Sequence, residues 1–132
     1  MTDAVIEAYG ITLEQAFENA AKGLIDTMID LKTVRPEKEI KFSAKGHDLY
    51  SLLFDWLDKV MLLLVADRMA MSQFSIKIKQ HNSGYSLEGT ARGEPLDLDG
   101  HRYKVEIKAV TYHEMEIKQE KGIVTVRFLL DL

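Results

Sequence analysis

The apolar residues of this chain change period partway along it, and that change constrains the fold more than any single motif. Over residues 49–65, Leu49, Leu52, Leu53, Trp56, Leu57, Val60, Met61 and Leu64 recur at three- and four-residue steps, a wide stripe along one side of a helix. Further on the step becomes two. Phe74, Ile76 and Ile78 alternate with Ser75, Lys77 and Lys79; after a turn at Asn82-Ser83-Gly84 the alternation resumes through Tyr85, Leu87, Gly89 and Ala91. A period of two sends successive side chains to opposite faces of a strand, so this half predicts a hairpin.

The first third carries the helical period as well. Residues 4–9 read as an opening strand closed by Gly10. Thr12 with Gln15 forms a capping box for a helix over 13–29, whose apolar side is Leu13, Ala16, Phe17, Ala20, Leu24 and Met28. Glu14 and Glu18 fall in its first turns, where the helix dipole favours negative charge. Arg35-Pro36 marks a loop, Ile40, Phe42 and Ala44 alternate in a strand over 39–45, and Asp48 caps the second helix. After a polar loop at 93–100, Tyr103, Val105, Ile107 and Ala109 alternate and 112–117 continue extended. Lys121-Gly122 then turns into a last strand in which Val124, Val126, Phe128 and Leu130 share a face. The expectation is one α+β domain over 1–132, with two helices packed on a mainly antiparallel β-sheet.

Composition narrows the chemistry. Without cysteine the chain has no disulfide, thiolate zinc site, iron–sulfur cluster or thiol nucleophile. A net charge of −4 weighs against a protein that grips nucleic acid on its own, because phosphate neutralisation needs a basic surface. The start, Met-Thr-Asp-Ala-Val-Ile-Glu, carries neither a basic nor an apolar leader, so the expected compartment is the cytoplasm.

No phosphate-loop, dinucleotide, nucleophile-elbow or zinc-helix motif occurs. His47, His81, His101 and His113 are dispersed. His113-Glu114 offers a ligand or a base, although a lone strand histidine beside acids is more often structural. Asp55 and Asp58 read as a solvated helix face. Asp97 and Asp99 have a calcium-like spacing without the glycine and terminal glutamate of an EF-hand loop. The better case lies at the ends. Asp3 precedes the first strand and Asp131 nearly ends the last, so antiparallel pairing of those strands would bring both carboxylates together. Asp131 also has the opposite parity to its strand's apolar set. With backbone carbonyls and the terminal carboxylate of Leu132, the pair suits a hard cation.

Several blocks in order resemble the archease family, small proteins that assist the tRNA-splicing RNA ligase of the RtcB type. They are Asp3-Ala-Val-Ile-Glu-Ala-Tyr-Gly10 with Thr12-Leu-Glu-Gln-Ala-Phe-Glu-Asn-Ala-Ala21, Asp48-Leu-Tyr-Ser-Leu-Leu-Phe-Asp-Trp-Leu57, Gly89-Thr-Ala-Arg-Gly-Glu-Pro95, Val105-Glu-Ile-Lys-Ala-Val-Thr-Tyr-His-Glu-Met115 and the ending Phe128-Leu-Leu-Asp-Leu132. The resemblance implies two interleaved strand–helix–strand–strand modules. It implies a protein that is not itself an enzyme but promotes guanylylation of the ligase, sustains its multiple turnover and can broaden its nucleotide use. It further implies a metal site on an N-terminal Asp and the Asp near the C-terminus, here Asp3 and Asp131 with Leu132 beside them. The expected cation is Ca²⁺, ahead of Mg²⁺ or Mn²⁺. Lys108 matches a family position implicated in ligase activation, and His113 lies in the same block. The implied partner is the ligase, with tRNA met only indirectly through it and no membrane.

Two departures from the family stand out. The histidine that the family carries before its N-terminal Asp is missing ahead of Asp3, which implies a start assigned too late or a shorter first strand. The segment 66–71 is also plainer than the family's acidic link. Two rival readings remain: a stand-alone metal-dependent hydrolase or nucleotidyl-transfer enzyme using Asp3, Asp131 and His113, and a chaperone-like interaction module.

Overall fold

The computed structural model describes residues 3–132. Helix α1 spans Leu13–Met28 and α2 spans Leu49–Val65, each where its apolar stripe lies. The Asp48–Ser51 cap of α2 is reciprocal: Ser51 N–H donates to Asp48 Oδ1 (2.8 Å) and Asp48 N–H donates to Ser51 Oγ (3.1 Å). At α1 the Gln15 N–H donates to Thr12 Oγ1 (3.0 Å), while the Gln15 side chain accepts from Ile11 rather than Thr12 (2.7 Å). The approach to each helix repeats at an offset of 36 residues, from Gly10 to Gly46 and from Thr12 to Asp48. Both glycines sit at the strand-to-helix corner, where a Cβ would run into the backbone of Ala16 or Leu52.

The strands are β1 (Asp3–Gly10), β2 (Lys38–Gly46), β3 (Met69–His81), β4 (Gly84–Pro95), β5 (Ala109–Glu120) and β6 (Ile123–Asp131). They form two antiparallel three-stranded sheets, β1-β6-β5 and β2-β4-β3. The α+β class holds, and the strands divide between two sheets instead of filling one. One contiguous module, β2-α2-β3-β4, is inserted between α1 and β5 of a second module, β1-α1-β5-β6. In each, the strand before the helix pairs with the second strand of the hairpin. Helix α1 packs on β1 and on β3 of the other sheet; α2 packs on β2 and on β5. Trp56 joins the layers: its indole N–H donates to the Phe17 carbonyl (3.0 Å), and its ring meets Phe42 and Phe74 edge-on.

The helices also close sheet edges. Glu18 and Glu14 accept from the Ile76 and Ile78 N–H groups on the free edge of β3 (2.9 and 3.3 Å), a role beyond the helix dipole. Asp55, expected on a solvated face, accepts from Lys45 N–H (3.0 Å) and from Lys59 (3.2 Å), and Lys59 donates to the Ser43 carbonyl (3.0 Å), closing the edge of β2.

The expected extended run over 103–117 is corrected twice. Residues 103–108 have no strand partner; their backbone is tied by Tyr103 N–H to the Leu98 carbonyl, Lys104 N–H to the Met28 carbonyl and Lys108 N–H to the Asp131 carbonyl. Farther on, Thr111 pairs with Leu129 and Glu116 with Arg127, so residues 112–115 bulge opposite Phe128, with Glu114 at φ 57°.

Candidate functional site

Strand β6 lies between β1 and β5, and its last residue gathers the ends of all three. Asp3 lies directly opposite Asp131 in the β1–β6 register, and Ala109 lies opposite Asp131 on the other side. Directly opposed residues of an antiparallel pair share a face, with Cβ atoms about 5 Å apart. The expected meeting of the terminal strands is therefore found. Asp3 is exposed and Asp131 partly buried, while Leu130, of the other parity, is fully buried in the core. Lys108 N–H donates to the Asp131 carbonyl at 2.8 Å, which sets an exposed lysine beside the pair. Leu132, next to Asp131, packs its side chain against the core.

Like charges directly opposite each other in a sheet destabilise it, so the Asp3–Asp131 pair favours a cation between its carboxylates. The donors at hand are all oxygen, the chemistry of a hard divalent ion rather than zinc. Among the described residues no group of three or more His, Cys, Asp or Glu side chains stands close enough to hold a metal. The donor set is therefore two carboxylates, with the Leu132 carboxylate, backbone carbonyls and water left to complete it, and it fits a hard ion on those terms.

His113 does not join them. It rides on the β5 bulge, its ring exposed, its N–H on Thr111 Oγ1 (3.1 Å) and its Nε2 3.9 Å from Glu114. The trio Asp3, Asp131 and His113 does not form a cluster. Tyr112 of the same bulge stacks on Phe54 of α2, ring centroids 4.2 Å apart. Asp97 and Asp99 lie in a loop organised by a histidine instead: His101, 4% exposed, accepts from Asp97 N–H at Nδ1 (3.0 Å) and meets Glu94 through Nε2 (2.8 Å). Because Nδ1 is an acceptor, the neutral ring carries its proton on Nε2 and donates it to Glu94. The Arg35 N–H and then His101 hold the Glu94 carboxyl below its usual range. Sequence reasoning missed this pair, since nothing in the spacing marked Glu94.

A second unpredicted cluster lies on the outer face of the first sheet, where the register sets Glu7, Arg127 and Glu116 in one row. Lys118 bonds Glu116 at 2.7 Å there, which lowers the glutamate and raises the lysine.

Two nested modules sharing two helices, with opposed aspartates at one sheet end, define an archease-like α+β fold. The sequence profile of the Archease protein family matches residues 1–132. Protein archease of Methanopyrus kandleri is 39% identical over 130 residues, covering 98% of this chain and 93% of that protein. Protein archease of Methanothermobacter thermautotrophicus is 40% identical over 130 residues, covering 98% of this chain and 92% of that protein. The solution structure of Methanobacterium thermoautotrophicum protein 1598 matches at TM-score 0.83 and 40% identity, covering 100% of this chain and 94% of that one. The Thermotoga maritima crystal structure, described as an archease and possible chaperone, shares the fold at TM-score 0.66 and 19% identity, over 99% of this chain and 91% of that one. The chain belongs to the archease family.

Proposed function

We propose that this chain is a non-catalytic accessory protein of an RtcB-type RNA ligase in the cytoplasm, promoting the ligase's metal-dependent guanylylation and so its multiple turnover. The observation that carries this reading is Asp3 opposite Asp131 with Lys108 bonded alongside, in a chain of the archease family. Asp3, Asp131 and the Leu132 carboxylate would hold the divalent cation, which when bound supplies charge neutralisation for phosphoryl transfer. The chain's own contribution is positioning. The β1–β6 ladder fixes the two carboxylates, and Lys108 offers a compact cation to a phosphate or to an acidic group of the ligase. Orientation and charge placement accelerate such a transfer without a nucleophile from this chain.

The test is multiple-turnover ligation by the cognate ligase in GTP and a divalent cation, with and without this protein. A large rise is expected, with no ligation by the protein alone. The near-isosteric Asp131→Asn change should cut the stimulation about tenfold or more, as loss of metal-site groups does, with the melting curve unchanged. A folded Asp131→Asn protein that stimulates normally would sink the metal-site mechanism. The Thermotoga maritima archease is described as a possible chaperone, which favours a second reading, a chaperone-like module. Protection of unrelated proteins, insensitive to changes at Asp131 and Lys108, would favour it.

A further inference from the structure

The sheet β2-β4-β3 turns one face to the helices and leaves the other open. On the open face Lys41 and Lys45 of β2 and Lys77 and Lys79 of β3 flank the central strand, which presents Ser86, Glu88 and Thr90. Ser43 and Ser75 add two more hydroxyls, and all of these residues except Lys45 line a shallow depression of about 750 Å³. The four lysines are exposed, and among the described residues none has a carboxylate within ion-pair distance. Arg92, at the far end of the face, is engaged by Glu39 at 3.8 Å. A chain of net charge −4 thus concentrates positive charge on one surface.

Lysines on edge strands commonly guard against strand addition. Here that need is already met, because Glu14 and Glu18 close the edge of β3 and Asp55 with Lys59 closes that of β2. Apart from His81 at the turn end, whose ring bonds Ser86 Oγ at 2.7 Å, the outward rows from Ser86 to Thr90 and their partners on β2 and β3 carry no aromatic or aliphatic side chain. Protein interfaces are depleted in Lys, Glu and Ser and enriched in aromatics, whereas phosphate and sugar contacts are made by Lys, Ser and Thr. Lys77 and Lys79, two residues apart on one strand, stand about 7 Å apart, close to the step between successive phosphates of a nucleic-acid strand.

We propose that this face binds the phosphodiester backbone of a nucleic acid, independently of sequence, since its exposed ring, His81 at the turn end, is bonded to Ser86 and the lysine rows themselves offer no ring on which a base could stack. The site is separate from the Asp3–Asp131 end and does not rest on the metal-site reading. It adds a direct contact to the indirect one expected through a ligase.

The experiment is fluorescence anisotropy of a labelled tRNA and of a duplex DNA of similar length, titrated with the full chain between about 50 and about 200 mM KCl. With four lysines engaged, log affinity should fall against log salt with a slope of about −3. A Lys41→Gln, Lys77→Gln, Lys79→Gln protein should bind about tenfold more weakly, with a slope near −1. A control with Lys22→Gln, Lys32→Gln and Lys121→Gln has the same net charge and should bind as the unaltered chain. If the first triple fails to fold, Lys77→Gln alone should still reduce the slope by about 0.8. Equal binding of both nucleic acids makes the site a general backbone site, and preference for tRNA makes it an RNA site; either supports the proposal. Absence of saturable binding, or equal weakening in the two triples, overturns it and leaves the face to an acidic protein surface.

Discussion

His101 uses both ring nitrogens: Nδ1 takes the Asp97 N–H, and Nε2 meets a Glu94 oxygen that also accepts from Arg35 N–H. One buried imidazole thereby pins the loop after β4 to the segment that precedes β2. The Glu94 carboxyl is held below its ordinary range, first by the Arg35 N–H and then by His101. A carboxyl lowered in the folded state adds stability above its unfolded value, and that stability is lost as pH falls through the folded value. Urea midpoints should therefore drop on acidification below about pH 4.5, and part of that slope should vanish in Glu94→Gln, whose amide oxygen still accepts both donors. An unchanged acid slope in that variant would show that Glu94 is not a major term. None of this was legible in the sequence, because the Arg35 partner lies 59 residues from Glu94. Asp3 and Asp131 were legible, because strand parity and chain order alone decide which residues meet when terminal strands pair.

The two helices are more than covers for a core. Each leaves a strand through the same tight corner, lays its apolar stripe between the two sheets, and turns polar side chains toward an unpaired edge. The stripes and caps were visible in advance, and α2 forms over the residues its pattern marked. Edge closure was invisible, because Glu14 and Glu18 look the same in sequence whether they meet water or a neighbouring strand's N–H groups. The β5 bulge was hidden for a related reason: alternation records which face a residue takes and says nothing of how many residues oppose one partner. The corner itself gives a test. Gly10→Ala would press a methyl group onto the Ala16 N–H region and should cost about 1–3 kcal/mol, the usual range for overpacking. Unfolding in urea followed by the fluorescence of Trp56, the only tryptophan, would measure it. A cost below about 0.5 kcal/mol, the range of ordinary surface changes, would mean the corner has more slack than its geometry indicates.

Across the whole molecule, charge is sorted by sheet: opposed aspartates stand at the end of one, and unpaired lysines cover the open face of the other. A net value of −4 averages that contrast away, which is why composition argued against a nucleic-acid surface. The division into two sheets was equally hard to read, since alternating segments do not name their partners. The pairing of Asp3 with Asp131 has another consequence. A short linker could join the two ends, and new ends could be opened after Arg102, beyond the His101 loop. The circular permutant would read β5-β6-β1-α1-β2-α2-β3-β4, turning a nested pair of modules into a tandem one. Its longest-range pairing, β1 with β6, would become local, so refolding followed through Trp56 should be severalfold faster than in the parent. The same ligation would turn the Leu132 carboxylate into an amide, so divalent-ion binding by a folded permutant, measured by calorimetry, would assign the proposed site to the aspartates alone.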